Sequence, residues 1–146
     1  APATATPVPT LPFTSAITTH TMAGSTARVH ERLRVERLRT SADEPIAHEI
    51  ALLPGPLPHL AERLAEQSSL YRTLHEAYGM SLATAEDTVE TVLADPVTAD
   101  LLRVDTGLPL LLIRRTGWDH DGRTVEWSTG RFRGDRFRFI SRQQLS

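Results

Sequence analysis

The stretch Val29-His30-Glu31-Arg32-Leu33-Arg34-Val35-Glu36-Arg37-Leu38-Arg39 decides how the chain is read. Val29, Leu33 and Val35 share one parity, while His30, Arg32, Arg34 and Glu36 take the other. Successive side chains point to opposite faces of a strand, so this period of two marks a half-buried β-strand. Ser41-Ala42-Asp43-Glu44-Pro45 is turn chemistry, and a second strand over about Pro45 to Leu53 makes the pair a hairpin. Pro54, Gly55, Pro56 and Pro58 break it.

The inner parity of the first strand runs on into Arg37 and Arg39. Arginines on a core-facing row need anionic partners, because buried charge without them is costly. Guanidinium groups two residues apart on a strand sit roughly 6.5–7 Å apart. That spacing suits a grip on one phosphate or carboxylate. The plainer alternative is that Glu49, on the paired strand, neutralises one of them at the sheet edge.

Downstream, Leu60, Leu64, Leu70 and Leu74, with Tyr71 and Tyr78, recur at helical spacing over about Leu57 to Ala77. Gly79 is a C-cap candidate, and Ser68-Ser69 can start a second helix. A helix N-terminus also attracts anions, against the ordinary alternative that Ser69 only caps. A strand is expected over about Leu82 to Ala94. Asp95-Pro96 then opens a short helix through Leu102. Leu110 to Trp118 and Thr124 to Phe132 form a hairpin around Asp121-Gly122, and Arg136 to Ile140 alternates as a further strand. Glu126 points away from its neighbours Val125 and Trp127, either solvated or facing a site. About six strands joined mostly by hairpins, with helices grouped in the middle, predict α+β with a mostly antiparallel six-stranded sheet.

Upstream, residues 1–27 are rich in Ala, Thr and Pro, with Pro2, Pro7, Pro9 and Pro12 close together, and read as an extended linker. Residues 28–146 are then the globular domain. The chain of 146 residues carries net charge −2, with arginine as its only strong base and no lysine. That balance gives no support for nucleic-acid binding by this chain alone. The run from Arg131 to Phe139 interleaves arginine with phenylalanine, and a strand with one basic face outward explains it. No cysteine is present, the six histidines lack metal-ligand spacing, and neither a P-loop nor a nucleophile elbow occurs. Neither a metal nor a cofactor is expected. The longest apolar run, Leu108 to Ile113, is far short of the roughly 20 residues that span a bilayer. The amino-terminal stretch lacks the pattern of a secretory signal, so the expected location is the cytoplasm.

Several segments together resemble the UTRA effector-binding domain of GntR-type transcription regulators of the HutC subfamily. They are Arg37-Leu38-Arg39 with Asp43-Glu44-Pro45-Ile46-Ala47-His48-Glu49, Ser69-Leu70-Tyr71 with Tyr78-Gly79, Asp119 through Glu126, and Phe132-Arg133-Gly134-Asp135-Arg136-Phe137. They cover about residues 28–142. The resemblance implies a chorismate lyase-like fold and a non-catalytic role: a repressor's sensing and dimerisation domain. A winged helix-turn-helix would stand in front of the linker, outside this chain, and would alone touch DNA. In relatives that sense phosphorylated amino sugars, residues matching Arg37, Arg39 and Ser69 hold the phosphate. Residues matching Glu49, Tyr71, Glu126 and Phe132 meet the sugar; Phe132 stands where the family usually has tyrosine. The implied effector is a sugar phosphate or a small carboxylate. An enzyme of the chorismate lyase type and a ligand-free dimerisation module are the two rivals.

Overall fold

The computed structural model describes the backbone of residues 4–5, 13–23 and 29–31, and both backbone and side chains of residues 32–67 and 69–144. Eight strands and three helices follow one another along the chain. The strands are β1 (Thr4–Ala5), β2 (Phe13–Ala23), β3 (Val29–Ser41), β4 (Glu44–Pro54), β5 (Thr84–Leu93), β6 (Pro109–Trp118), β7 (Thr124–Arg133) and β8 (Ser141–Arg142). Helices α1 (Leu60–Gln67) and α2 (Leu70–Tyr78) lie between β4 and β5, and α3 (Pro96–Leu102) between β5 and β6. Six strands form one sheet in the order β2-β3-β4-β7-β6-β5, all pairs antiparallel, while β1 and β8 pair separately.

The mostly antiparallel six-stranded sheet is therefore present, but its sixth strand comes from an unexpected place. The four prolines of the leader all fall before Phe13; beyond them Thr14, Ile17, Thr18, Thr19 and Thr21 are β-branched residues suited to a pleated strand. Residues 13–23 accordingly pair with β3 as β2, where the composition of residues 1–27 suggests linker throughout. The rest of that stretch, residues 1–3, 6–12 and 24–27, lies outside the described residues.

The converse correction falls at Arg136–Ile140, which is not a strand. Gly134, Asp135 and Arg136 turn the chain, and the N–H groups of Arg136 and Phe137 both donate to the Arg133 carbonyl. The turn folds the Phe137 ring back onto Phe132, centroids 4.4 Å apart. Nor is the basic row of that run all outward. Arg133 is buried, donating to Glu44 Oε1 at 2.8 Å and to Asp135 Oδ2 at 2.7 Å.

The sheet's first face carries Leu33 and Val35 of β3 and Ala51 and Leu53 of β4, covered by Leu60 and Leu64 of α1 and Leu70 and Leu74 of α2. Each helix offers an i, i+4 leucine pair, the spacing that lines one helical stripe. Ser69 caps α2, and Gly79 ends it in the left-handed region at φ 65°, its N–H returning to His75 and that of Met80 to Leu74. Glycine takes that conformation without steric cost. Ser68, the other candidate for the start, lies outside the described residues. Helix α3, capped by Asp95 with Pro96 following, packs on the opposite face against Leu110 and Leu38.

Candidate functional site

Beyond the leucines, the same face of the sheet becomes polar. Along β3 the buried row Leu33, Val35 continues into Arg37, which is 7% exposed. In the register, Arg37 faces Glu49 on β4, Glu49 faces Gly130 on β7, and Gly130 faces Ile113 on β6. One oxygen of Glu49 takes both arginines, Arg39 Nε at 2.6 Å and Arg37 Nη2 at 3.1 Å. Both guanidinium groups therefore turn onto the core-facing side, as strand parity predicts, and Glu49 does not choose between them. Burial presses the Arg37 guanidinium below its ordinary pKa, Glu49 opposes that shift, and the neighbouring Arg39 adds to it.

Gly130 makes room for this arrangement. A Cβ there would meet Phe132 Cε2 at 2.5 Å and Glu49 Cγ at 3.3 Å. The Phe132 ring and the stem of Glu49 thus share the space above a residue with no side chain. Phe132 is buried with Ile46 and Ala47, so the aromatic wall beside the arginines is apolar.

Glu126 lies on the same face one strand over, with only 2% of its surface exposed, so the solvated alternative does not hold. Its Oε2 accepts a hydrogen bond of 2.7 Å from the Tyr71 hydroxyl of α2, although 41% of Tyr71 is exposed. Burial pushes the Glu126 carboxyl above the usual carboxylate range, against lowering by Tyr71, Arg115, Ser128 and Arg37. Burial, then the negative charge of Glu126, also raises Tyr71 well above an ordinary phenol. The Tyr71 hydroxyl is accordingly a neutral donor at any physiological pH.

Five of the seven expected residues, Arg37, Arg39, Glu49, Tyr71 and Glu126, thus form two hydrogen-bonded groups on one sheet face, linked electrostatically between Arg37 and Glu126. Phe132 walls the first group. Ser69 is placed as the cap of α2, its hydroxyl accepting from the Arg72 N–H at 3.4 Å. Sequence reasoning missed Arg115 and Asp87. Arg115 alternates in phase with Leu111 and Ile113 on β6, which is a signal for its facing inward; its pairing with Asp87 depends on a cross-strand register the sequence does not display. Among the described residues, no group of three or more His, Cys, Asp or Glu is placed to hold a metal ion, and no helix is long and apolar enough to cross a membrane.

An α+β domain whose antiparallel sheet presents paired arginines beside the half-buried Glu49 and the buried Glu126 defines the class. Residues 18–138 match the UTRA domain family, and the chain belongs to it. It is 32% identical over 110 residues to the HTH-type transcriptional repressor PhnF of Mycolicibacterium smegmatis, covering 75% of this chain and 45% of that protein. It is 29% identical over 107 residues to the HTH-type transcriptional repressor NagR of Bacillus subtilis, covering 73% and 44% respectively. The crystal structure of PhnF from Mycobacterium smegmatis superposes with a TM-score of 0.79 at 25% identity, over 92% of this chain and 64% of that one. These relatives are named as transcriptional repressors, not enzymes. The chain spans less than half the length of the curated relatives it matches.

Proposed function

We propose that this chain is the effector-sensing and dimerisation domain of a cytoplasmic GntR-type repressor of the HutC subfamily. The effector is a small anion, a phosphorylated sugar first and a small carboxylate second. The observation that carries this reading is the convergence of Arg37 and Arg39 on one oxygen of Glu49, on the core-facing side of the sheet. Paired forks of this kind recognise phosphate and carboxylate by geometry as well as charge. Next to them, Glu49, Tyr71 and Glu126 offer acceptors and a donor for the uncharged part of a ligand, and Phe132 offers an apolar wall for a sugar ring. Ser69, at the start of α2, adds a hydroxyl and a helix terminus to the anion's surroundings.

DNA contact belongs to a helix-turn-helix domain outside this chain, in keeping with the names of the relatives. In a homodimer, effector binding favours the arrangement in which the two DNA-reading domains no longer match the half-site spacing. Such a switch needs unequal effector affinity for the two states. The test is a thermal-shift screen of the chain against sugar phosphates and organic acids. A true effector at a hundredfold excess over its Kd adds about 2.7 kcal/mol to stability. Uniform silence across the panel would leave a domain that dimerises without sensing.

A further inference from the structure

Behind the Tyr71–Glu126 pair stands a group that none of the site features described so far requires. Arg115 of β6 grips Asp87 of the edge strand β5 with two parallel hydrogen bonds, Nε to Oδ1 and Nη2 to Oδ2, each 2.7 Å. Its remaining nitrogen, Nη1, donates to the Tyr71 hydroxyl at 2.9 Å, and Tyr71 donates to Glu126 Oε2 at 2.7 Å. The chain Asp87–Arg115–Tyr71–Glu126 thus crosses from the sheet edge through α2 to the buried carboxylate.

Guanidinium has donors only, and a phenol has a single proton. With Nη1–H occupying the hydroxyl oxygen of Tyr71, the phenolic proton has to go to Glu126. The bidentate bond to Asp87 fixes the plane of the fork and so the direction from which Nη1 arrives. Arg115 also places a positive charge near the buried Glu126 carboxyl, which opposes the raising effect of burial. We propose that Arg115, held by Asp87, is a positioning residue: it orients the Tyr71 hydroxyl and, through it, the Glu126 carboxyl as an acceptor for the donor groups of the ligand. Arg115 thereby sets preference among anions according to their hydroxyl or ammonium groups. This rests on the reading of Arg37 and Arg39 as the anion grip.

The charged and titratable groups that bear on Glu126 are Tyr71 from α2, Arg115 from β6 and Arg37 from β3. Calorimetric titration of glucosamine 6-phosphate and of inorganic phosphate separates the two claims, because only the first probe carries sugar hydroxyl and ammonium donors beyond the phosphate itself. The affinity ratio of the two probes is expected to fall roughly tenfold in Arg115→Met, about 1.4 kcal/mol. In a Tyr71→Phe background the same substitution is expected to lower the ratio by less, since only the charge acting directly on Glu126 is then lost and coupled residues are not additive. An unchanged ratio, or two effects that simply add, overturns the role. A ligand-free reading comes from the Glu126 carboxyl followed by 13C NMR. Its titration is expected at higher pH in Arg115→Met, and in the same direction but less far in Arg115→Lys, which keeps a cation without the planar fork that holds Asp87 and Tyr71 together and serves if the first variant does not fold. A titration unmoved in both variants overturns the role as well. If neither probe binds the unaltered chain, the anion grip of Arg37 and Arg39 fails, and the carboxyl titration still decides for or against Arg115.

Discussion

One face of one sheet carries two regions of opposite character. In the first, Leu33, Val35, Ala51 and Leu53 lie sealed under α1 and α2. In the second, two residues further along the same strands, Arg37, Arg39 and Glu49 take the positions that apolar side chains would fill. The first region buries leucine against leucine and gains about 25 cal/mol for each Å² of apolar surface removed from water. The second holds charge at low exposure, where a pair at best offsets its own desolvation. A protein keeps such a costly patch beside a good core when the patch does something the core cannot. The strand alternation is continuous through both, so what changes is the chemistry and not the backbone.

Three substitutions sharpen that contrast. Leu53→Ala, in the sealed region, removes a fully buried side chain and is expected to cost about 2–5 kcal/mol, lowering the melting temperature by roughly 5–15 °C. Calorimetric melting checks this, and affinity measured well below the new midpoint should stay near that of the unaltered chain.

Glu126→Gln, in the polar region, should act the other way. The native carboxyl holds its proton more tightly than in the unfolded chain, so native stability falls as pH rises from the ordinary carboxylate range through the raised native value. Glutamine has no proton to lose and can still accept from Tyr71. The variant is expected to melt roughly 2–4 °C higher at pH 7–8, about 1 kcal/mol, with the advantage gone below pH about 4. Melting curves over that pH range check it, and effector affinity should fall while stability rises. The opposite slope would mean that the ionised carboxylate is a net stabiliser.

The smallest effect separates neighbours. Arg114 and Arg115 are adjacent on β6, but Arg114 meets Glu90 with both side chains more than half exposed. Arg114→Gln is expected to change stability by less than about 0.5 kcal/mol in denaturant unfolding and to leave binding alone.

The two regions differed in how much of each could be read from sequence. Period-two alternation shows β3, turn chemistry brackets β4, β6 and β7, and Ser69, Gly79 and Asp95-Pro96 mark helix ends within a residue or two of where they fall. Parity alone turns Arg37 and Arg39 inward. What it hides is non-local. β2 is masked by the prolines ahead of it, and its partner β3 comes later in the chain. Arg136–Ile140 alternates like a strand but answers to the turn at Gly134 and the stacking of Phe137 on Phe132. Asp87 and Arg115 meet across 28 residues, through a register no local pattern encodes.

The most direct test is calorimetric titration of glucosamine 6-phosphate into the unaltered chain and into the double variant Arg37→Ala/Arg39→Ala, with melting curves to show that both are folded. Charge-assisted hydrogen bonds contribute about 1.5–3 kcal/mol each, so loss of both forks should weaken binding at least roughly a hundredfold. A folded double variant that binds as tightly as the unaltered chain would contradict the claim that the inward-facing guanidinium pair receives the anion.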